Sequence, residues 1–323
     1  MISSKGLVLI TGANGNIGCR TAAAFLDAGY SVRSTVRLRK SADALVNALT
    51  EYYNDGLLEI VEVPNITATG AFDSVLNGVT AIAHLAMPVS TSNTDVTKVH
   101  HTAIRGTLSI VESALQLPGI KNFILMSSSG AVLTVSEPRD YSASDWSDEM
   151  VSLVEAKGAE AGGFPIYLAS KVKAERAFWT LVEERKPHFT IISLCPGFVA
   201  GPPLFLPPSP EQLMLTTEFI WQVFSGQNYP PGPAGYSQHV DVRDVARFQV
   251  FAVDHPETVD GQRILLVPAN NSYGNPQAVA DILRKAYPER RNIIKEGTPG
   301  QSCLPGFEAP PGVHTFGPEV HHV

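Results

Sequence analysis

The sequence has few cysteines, no excess of positive charge and no long apolar run. Its three cysteines, Cys19, Cys195 and Cys303, are too far apart to suggest a disulfide framework or a zinc site. Lys and Arg number 24 against 31 Asp and Glu, so the formal net charge is −7. This balance argues against nucleic acid or an anionic membrane as the main partner. No apolar run approaches the roughly 20 residues that cross a bilayer. We therefore expect a reduced, cytoplasmic protein without a metal site.

Hydrophobic residues make up 44% of the 323 residues, which is enough for one large core. In the first 195 residues, short apolar runs alternate with helical patterns. Because the runs are almost wholly apolar, helices should cover both faces of the sheet that they form. The pattern predicts a Rossmann-type α/β fold, a doubly wound parallel sheet. The predicted strands are 7–11, 31–36, 58–63, 81–85, 122–126 and 190–194, and the predicted helices lie near 16–28, 41–53, 96–116 and 165–185.

The pattern changes after Pro196, where Gly and Pro become frequent. We expect residues 196–323 to form mostly a smaller, loop-rich substrate-binding lobe over the carboxyl edge of the sheet. The first and larger domain, residues 1–195, would also take a strand and a helix from about 238–267. Residues 293–323 show no periodicity and predict an irregular tail. The remaining predicted elements are helices near 211–225, 241–253 and 276–286 and a strand at 263–267.

A glycine fingerprint lies between the first strand and the first helix. Gly12 allows a tight turn, Gly15 lets the backbone approach a pyrophosphate, and Gly18 lets the helix pack closely on the strand. The free N–H groups at the helix N-terminus favour phosphate. The dinucleotide-binding residues predicted in this segment are Gly12, Asn14, Gly15, Asn16, Ile17 and Gly18.

The residues after the second strand indicate which dinucleotide binds. An acidic residue there would bond the ribose 2′-hydroxyl, whereas a basic residue accommodates a 2′-phosphate. Arg37 is the best candidate for a bidentate grip on that phosphate, with Lys40 or Arg39 in support. NADP(H) is therefore favoured over NAD(H). Asn65 and Ile66, which follow the third strand, are expected beside the adenine.

Tyr167 and Lys171 are one helical turn apart. An ammonium beside a phenol favours the phenolate, so this spacing predicts a Tyr167 pKa below the usual value of about 10. That would suit a proton donor near neutrality. The run Ser127-Ser128-Ser129 follows the fifth strand, where a hydroxyl can orient a carbonyl oxygen. Taken singly, these patterns also fit a solvated helix face and a polar turn.

Together the segments resemble the extended branch of the short-chain dehydrogenase/reductase superfamily, over roughly residues 5–290. The resemblance implies that Ser128 orients a substrate carbonyl, Tyr167 donates the proton, and Lys171 tunes Tyr167 and holds the ribose. It also implies cofactor contacts after the fourth and sixth strands. The matching motifs are Thr11–Gly18, His84–Pro88, Tyr167–Lys171 with Ala174 and Glu175, Pro196–Pro202 and His239–Ala246. The cofactor-binding residues that the resemblance adds are Leu85, Ala86, Met87, Pro196, Gly197 and Val199, together with Tyr167 and Lys171.

Within this superfamily, the sequence looks most like the dihydroflavonol-reductase-like and fungal aldehyde or ketone reductases, which use NADPH. Leu133 stands where flavonoid reductases carry an asparagine, and the segment before Tyr167 lacks the run of the lignin-pathway reductases. We therefore expect an NADPH-dependent carbonyl reductase acting on an apolar or aromatic aldehyde or ketone. Two alternatives stay open: a non-catalytic NADP(H)-binding regulator or scaffold, and a nucleotide-sugar epimerase or dehydratase.

Apolar residues near the predicted site are candidates for the substrate pocket. Each of them is equally suited to the core. The expected partner is a small-molecule carbonyl compound, and the expected assembly is a monomer or homodimer. The candidate pocket residues are Met87, Val89, Ala131, Val132, Phe198, Leu204 and Phe205, with Phe219 and Phe224 as further candidates.

Overall fold

The computed structural model describes residues 4–87, 92–133, 141–207, 209–213, 215–227, 239–267 and 276–299. Its strands are β1 (Leu7–Thr11), β2 (Ser31–Val36), β3 (Leu58–Glu62), β4 (Val79–His84), β5 (Asn122–Met126), β6 (Thr190–Pro196), β7 (Phe198–Ala200), β8 (His239–Asp241) and β9 (Gln262–Leu266). Seven of them form one parallel sheet in the order β3-β2-β1-β4-β5-β6-β9. This arrangement confirms the predicted Rossmann-type fold.

Helices cover both faces of this sheet. They are α1 (Asn16–Asp27), α2 (Asp43–Ala48), α3 (Thr50–Asn54), α4 (Val96–Ala114), α5 (Asp148–Lys157), α6 (Gly163–Arg185), α7 (Leu215–Phe224), α8 (Val242–Asp254) and α9 (Pro276–Ala286). On one face α1 and α8 pack together and bury Phe25 and Phe248. On the other face α4 and α6 pack together, and Phe178 stacks on Phe123 with a centroid distance of 5.6 Å. Burial of side chains this large stabilises the sandwich by about 2–3 kcal/mol each.

The direction in which the chain adds strands reverses between β1 and β4. From β1 the chain runs outward through β2 and β3, and it then returns to the other side of β1 to begin β4. Thr11, the last residue of β1, pairs with Thr35 of β2 and with His84 of β4. In sheets of this kind, ligands bind at the crevice that opens beyond the carboxyl ends of the strands at such a reversal.

A smaller group of elements follows β6. Strands β7 and β8 form a parallel pair, and α7 packs against α9 around Val223, Ala280 and Ile294, which are buried. These elements fall in the part of the chain where the sequence predicts a smaller lobe, and the division into two domains stays a prediction. In the described part of the chain, no helix has the length and apolarity needed to cross a membrane.

Several elements differ from the sequence prediction. The helix expected at 41–53 is broken into α2 and α3 at Leu49, whose φ of −119° and ψ of 34° leave the helical region. The helix expected near 211–225 begins at Leu215, after a 3₁₀ turn at Pro210–Gln212. Helix α5 was not predicted, because it buries only Met150 and Val154 and so carries a weak helical pattern.

Candidate active site

The glycine turn brings three backbone segments together at the strand reversal. Gly12 has a φ of +67°, and a β-carbon on it would lie 3.1 Å from Ala86 Cα, so glycine is needed here on two counts. Gly15 is the N-cap of α1, and no side chain among the described residues caps that helix. Asn16 Oδ1 is buried and has no hydrogen-bond partner among the residues that the structure describes. The turn therefore presents the unpaired N–H groups of a helix N-terminus, as a pyrophosphate cradle would. The unpaired Asn16 oxygen is an acceptor and calls for a donor group instead.

The hydroxyl of Thr11 ties this turn to the end of β4. Its oxygen accepts hydrogen bonds from the backbone N–H groups of Leu85 and Ala86, at 3.0 and 2.9 Å. Its proton then faces Nδ1 of His84, 2.9 Å away. Burial and the nearby charge of Lys171 lower the pKa of His84 to about 3, so this imidazole is neutral and accepts that proton. The predicted cofactor residues Leu85 and Ala86 are thus fixed beside Gly12, and Met87 follows them.

Ser128 and Tyr167 meet where the chain leaves β5. Ser128 Oγ accepts the N–H of Gly130 at 3.0 Å. The Ser128 hydroxyl lies beside the Tyr167 phenol, where it acts to lower the pKa of that phenol. A β-carbon on Gly130 would lie 2.4 Å from Leu168 Cδ2, so the glycine lets α6 approach the serine turn. Ser127 points elsewhere: its hydroxyl donates to Glu175. The structure therefore places Ser128, rather than Ser127, beside the tyrosine.

The ammonium of Lys171 lies 5.9 Å from the centroid of the Tyr167 ring and donates to Met126 O at 3.4 Å. Burial lowers the pKa of Lys171 to about 8, although the carboxylate of Glu175 opposes that shift. Burial raises the pKa of Tyr167 to about 12, against the hydrogen bond from Ser128. The expectation of a lowered Tyr167 pKa was therefore wrong, because desolvation of the phenol outweighs the effect of its neighbours.

The residues predicted to select the dinucleotide lie at the exposed edge beyond β2. Arg37 and Lys40 are exposed and form no hydrogen bond or ion pair with the described residues. Arg39 differs, because its guanidinium is already bound to the hydroxyl of Tyr53 at 2.8 Å. Asn65 is exposed at the end of β3, and its Oδ1 accepts from the backbone of Thr67. Next to it, Ile66 packs against α4, where Gly106 makes room for its side chain.

The segment after β6 runs along the same edge. Pro196 pairs with Leu266 of β9, and the N–H of Gly197 donates to the carbonyl oxygen of that leucine at 2.9 Å. Phe198 then begins β7, and its half-buried ring packs edge-on against Phe219 and His239. Val199 is buried in the main core.

Two pocket predictions conflict with the structure, whereas two further candidates are half-buried. Ala131 and Val132 are fully buried (0% exposed), and Val132 packs against Tyr141, Cys195 and Leu265. Phe224 packs against Tyr287 at 5.2 Å and under the Arg290 guanidinium. Phe219 belongs largely to the same small core of α7 and α9. Ala131 and Val132 are therefore core residues. For Phe219 and Phe224, which keep exposed surface, a place in the pocket stays a prediction.

The other pocket predictions have mixed outcomes. Leu204 and Phe205 pack against the main core beside α1, where Arg20 holds the backbone of their loop by donating to Pro202 O. They therefore neighbour α1, the helix whose N-terminus is predicted to bind the cofactor. Val89 lies outside the described residues. Met87 and Phe198 stay partly exposed near the predicted site.

A buried ion pair between Glu175 and Arg263 lies near the site and was not predicted. Glu175 is fully buried on α6, and Arg263 of β9 binds both of its carboxylate oxygens at 2.9 and 3.1 Å. The sequence signal was an arginine inside the otherwise apolar end of a strand, which calls for a buried partner.

Comparison with known proteins agrees with this geometry. The chain is 33% identical over 302 residues to an oxidoreductase of Schizosaccharomyces pombe, covering 91% of this chain and 86% of that one. It is 32% identical over 256 residues to aldehyde reductase 2 of Sporidiobolus salmonicolor, covering 75% and 72%. The crystal structure of yeast methylglyoxal/isovaleraldehyde reductase Gre2, complexed with NADPH, superposes with a TM-score of 0.78 at 25% identity, covering 91% and 86%.

The region that matches a known family contains the glycine turn, the serine turn and the helix that carries Tyr167. Residues 8–267 match the NAD dependent epimerase/dehydratase family. The match includes the sequence motifs and the strands of the main sheet. It confirms the resemblance to the extended short-chain dehydrogenases/reductases that was drawn from the sequence. The chain belongs to the NAD dependent epimerase/dehydratase family.

Proposed function

We propose that this protein is an NADPH-dependent carbonyl reductase that converts an apolar or aromatic aldehyde or ketone to an alcohol. One observation carries the proposal: Ser128, Tyr167 and Lys171 converge at the carboxyl edge of the sheet, next to the glycine turn. The reductases among its relatives support the same reaction class.

The residues of the site fit a dinucleotide. Its pyrophosphate would lie over the uncapped N-terminus of α1, where Gly12 and Gly15 leave room and the first backbone N–H groups of the helix point outward. Arg37 and Lys40 would hold the 2′-phosphate, because both are exposed and unengaged among the described residues. Lys171 would reach the ribose hydroxyls. When bound, NADPH supplies the hydride that adds to the carbonyl carbon.

The protein's own part in the reaction is to place the carbonyl and supply the proton. The pKa of Tyr167, about 12, keeps the phenol protonated at neutral pH, so it is ready to donate. Ser128, held by the N–H of Gly130, would donate a hydrogen bond to the carbonyl oxygen and share its developing charge. The Lys171 ammonium would stabilise the phenolate left on Tyr167 after proton transfer.

The substrate class rests on the side chains left partly exposed beside this centre. Met87 follows the turn after β4, and Phe164 lies one turn before Tyr167 with ring centroids 6.4 Å apart. Phe198 adds an aromatic edge after β6. Such surroundings favour an apolar or aromatic carbonyl compound over a nucleotide sugar, whose diphosphate needs cationic partners.

The test is the loss of reduced-nicotinamide absorbance with NADPH, and separately with NADH, across aliphatic, aromatic and α-keto carbonyl compounds. Tyr167→Phe is the matched variant, because it removes only the hydroxyl. We expect NADPH-selective turnover that falls by about 10²–10⁴-fold in Tyr167→Phe, while the NADPH dissociation constant stays within about twofold.

Two outcomes would contradict the proposed activity, and a third would contradict the proposed mechanism. Tight NADPH binding without turnover of any compound would favour a non-catalytic regulator. A cofactor that copurifies and survives dialysis, with no net oxidation, would favour an epimerase or dehydratase. Full activity in Tyr167→Phe would remove the tyrosine from the mechanism.

A further inference from the structure

A buried carboxylate lies behind the proposed catalytic residues. Glu175 follows Lys171 by one turn of α6 and is 1% exposed. Its carboxylate accepts hydrogen bonds from Ser127 Oγ at 2.7 Å and Ser193 Oγ at 2.6 Å, and the thiol of Cys195 lies 3.6 Å away. Protein donors bind both oxygens of this buried carboxylate, so its contacts are with other side chains of the fold.

The partner of Glu175 reaches the loops that frame the site. Arg263 binds both carboxylate oxygens through Nε and Nη2. The same guanidinium donates to the backbone carbonyl of Ala131, at 3.2 Å, and to those of Ala143, at 2.9 Å, and Asp145. Its carbon lies 3.8 Å from the ring centroid of Trp146. One guanidinium thus joins the turn after Ser128 to the segment that leads into α5.

Stability alone is a poor reason for such a pair. Removing two charges from water costs several kcal/mol each, and apolar residues of similar volume often serve stability equally well. An apolar pair, however, has no donors with which to bind the backbone carbonyl groups of two separate loops at once. Arg263 does so through five N–H donors held in a rigid fork.

We propose that Glu175 and Arg263 are positioning residues: together they hold the serine turn (residues 127–131) and the segment 141–147 against α6, so that Ser128 stays within reach of Tyr167. The role in catalysis rests on the function proposed above. Ser127 is the link on one side, because it bonds Glu175 and immediately precedes Ser128. Arg263 is the link on the other side, through the carbonyl of Ala131.

The charge of Glu175 adds a second effect. It opposes the loss of the proton from Lys171, whose pKa burial lowers to about 8. Burial works to raise the pKa of Glu175 itself, but the hydrogen bonds and charge of Arg263, with Ser193 and Ser127, hold that pKa below its ordinary value. The carboxylate therefore stays ionised beside the ammonium throughout the neutral range.

The experiment compares Glu175→Gln with the double variant Glu175→Leu/Arg263→Met. Glu175→Gln keeps the shape but leaves Arg263 without its counter-charge. The double variant removes both charges and restores an apolar interior, so its melting temperature should return close to that of the parent. Glu59→Gln, which breaks the partly exposed ion pair with Arg33 on the far edge of the sheet, is the control for loss of any ion pair.

We expect kcat to fall at least about 10-fold in both Glu175 variants, with the NADPH dissociation constant within about twofold of the parent value. In the double variant, the low kcat should persist although the melting temperature has recovered. Glu175→Gln should also shift the alkaline limb of the pH profile of kcat/KM to lower pH, which a merely structural role would not do. Glu59→Gln should leave all these quantities unchanged.

Hydrogen exchange gives a readout that does not depend on turnover. In the double variant, amides of residues 127–133 and 141–147 should exchange at least about 10-fold faster than in the parent, while those of β1 and β4 stay unchanged. Unchanged exchange in those segments, or a kcat that recovers together with the melting temperature, would overturn the proposal. If the parent itself turned over no carbonyl compound, the proposed function would fail, and the exchange result would still decide whether this pair positions the two loops.

Discussion

Gly18 of α1 faces the glycine turn so closely that a β-carbon on it would lie 2.3 Å from the carbonyl oxygen of Gly12 and 2.8 Å from Ala13 Cα. Both neighbours are backbone atoms, so no side chain can rotate out of the way. The contact sets the distance between the first helix and the first strand, and with it the place of the helix N-terminus at the strand reversal.

Gly18→Ala should therefore displace α1 from the turn and weaken NADPH binding at least about 10-fold. Fluorescence titration of the reduced cofactor measures the dissociation constant. Gly119→Ala is the matched control, because a β-carbon there would lie 3.9 Å from Val79 O, an ordinary contact. Equal affinities for the two variants would contradict a pyrophosphate site at this helix end.

Thr11→Val should destabilise the protein, because valine matches the shape of threonine but cannot accept the N–H groups of Leu85 and Ala86. Two half-buried donors would lose their partner, and we expect the free energy of unfolding to fall by about 1–3 kcal/mol. Urea denaturation measures this change. Thr11→Ser retains the hydroxyl and should lose less than half as much. If both variants unfold alike, the lost methyl group rather than the hydroxyl network explains the effect.

Arg37→Gln should reduce the preference for NADPH over NADH. A guanidinium bound to phosphate contributes about 1.5–3 kcal/mol, so the KM for NADPH should rise about 10- to 100-fold. The KM for NADH should stay within about twofold, because NADH lacks the 2′-phosphate. Arg247→Gln, a half-exposed arginine on α8, is the control for a change of net charge. An equal rise in both KM values would show that Arg37 does not contact the 2′-phosphate.

The sheet and the glycine turn could be predicted because their signals are local. An apolar run such as Leu7–Thr11 or Asn122–Met126 indicates a buried strand wherever it lies. The pair of Glu175 and Arg263 could not be predicted, because its members are 88 residues apart and meet only once α6 and β9 lie on the same sheet. The spacing of Tyr167 and Lys171 was visible in the sequence, but the burial that decides the direction of their pKa shifts was not.

The pocket walls were the weakest prediction for a related reason. Ala131 and Val132 are apolar and follow Ser128, the predicted catalytic serine, and apolar residues at such a place suit a pocket or the core equally well. Which of the two they are depends on what packs over them. Here Tyr141 and Leu265 fill that space, and both come from distant parts of the chain.

Burial of Lys171 should make stability and activity respond to pH in opposite directions. The pKa of Lys171 is lowered from 10.5 to about 8, chiefly by burial. Between these two values the unfolded chain binds more protons than the folded one, so the free energy of unfolding rises with pH. In the ligand-free protein, this residue should add about 2 kcal/mol of stability between about pH 7 and pH 9.5. Reduction should slow over the same range, because the ammonium that stabilises the Tyr167 phenolate is lost.

Lys171→Met isolates this residue, since methionine fills a similar volume without the charge. Between about pH 7 and pH 9.5, the free energy of unfolding of the variant should rise by about 2 kcal/mol less than that of the parent. At neutral pH, the free energy of unfolding of the variant should match or exceed that of the parent. Its kcat should be low at every pH. The same slope in parent and variant would mean that Lys171 keeps an ordinary pKa in the folded chain. If the free energy of unfolding and kcat/KM both fell as the pH rises, the loss of activity would reflect unfolding of the protein. Deprotonation of Lys171 alone should stabilise the fold, because the buried site favours the neutral lysine.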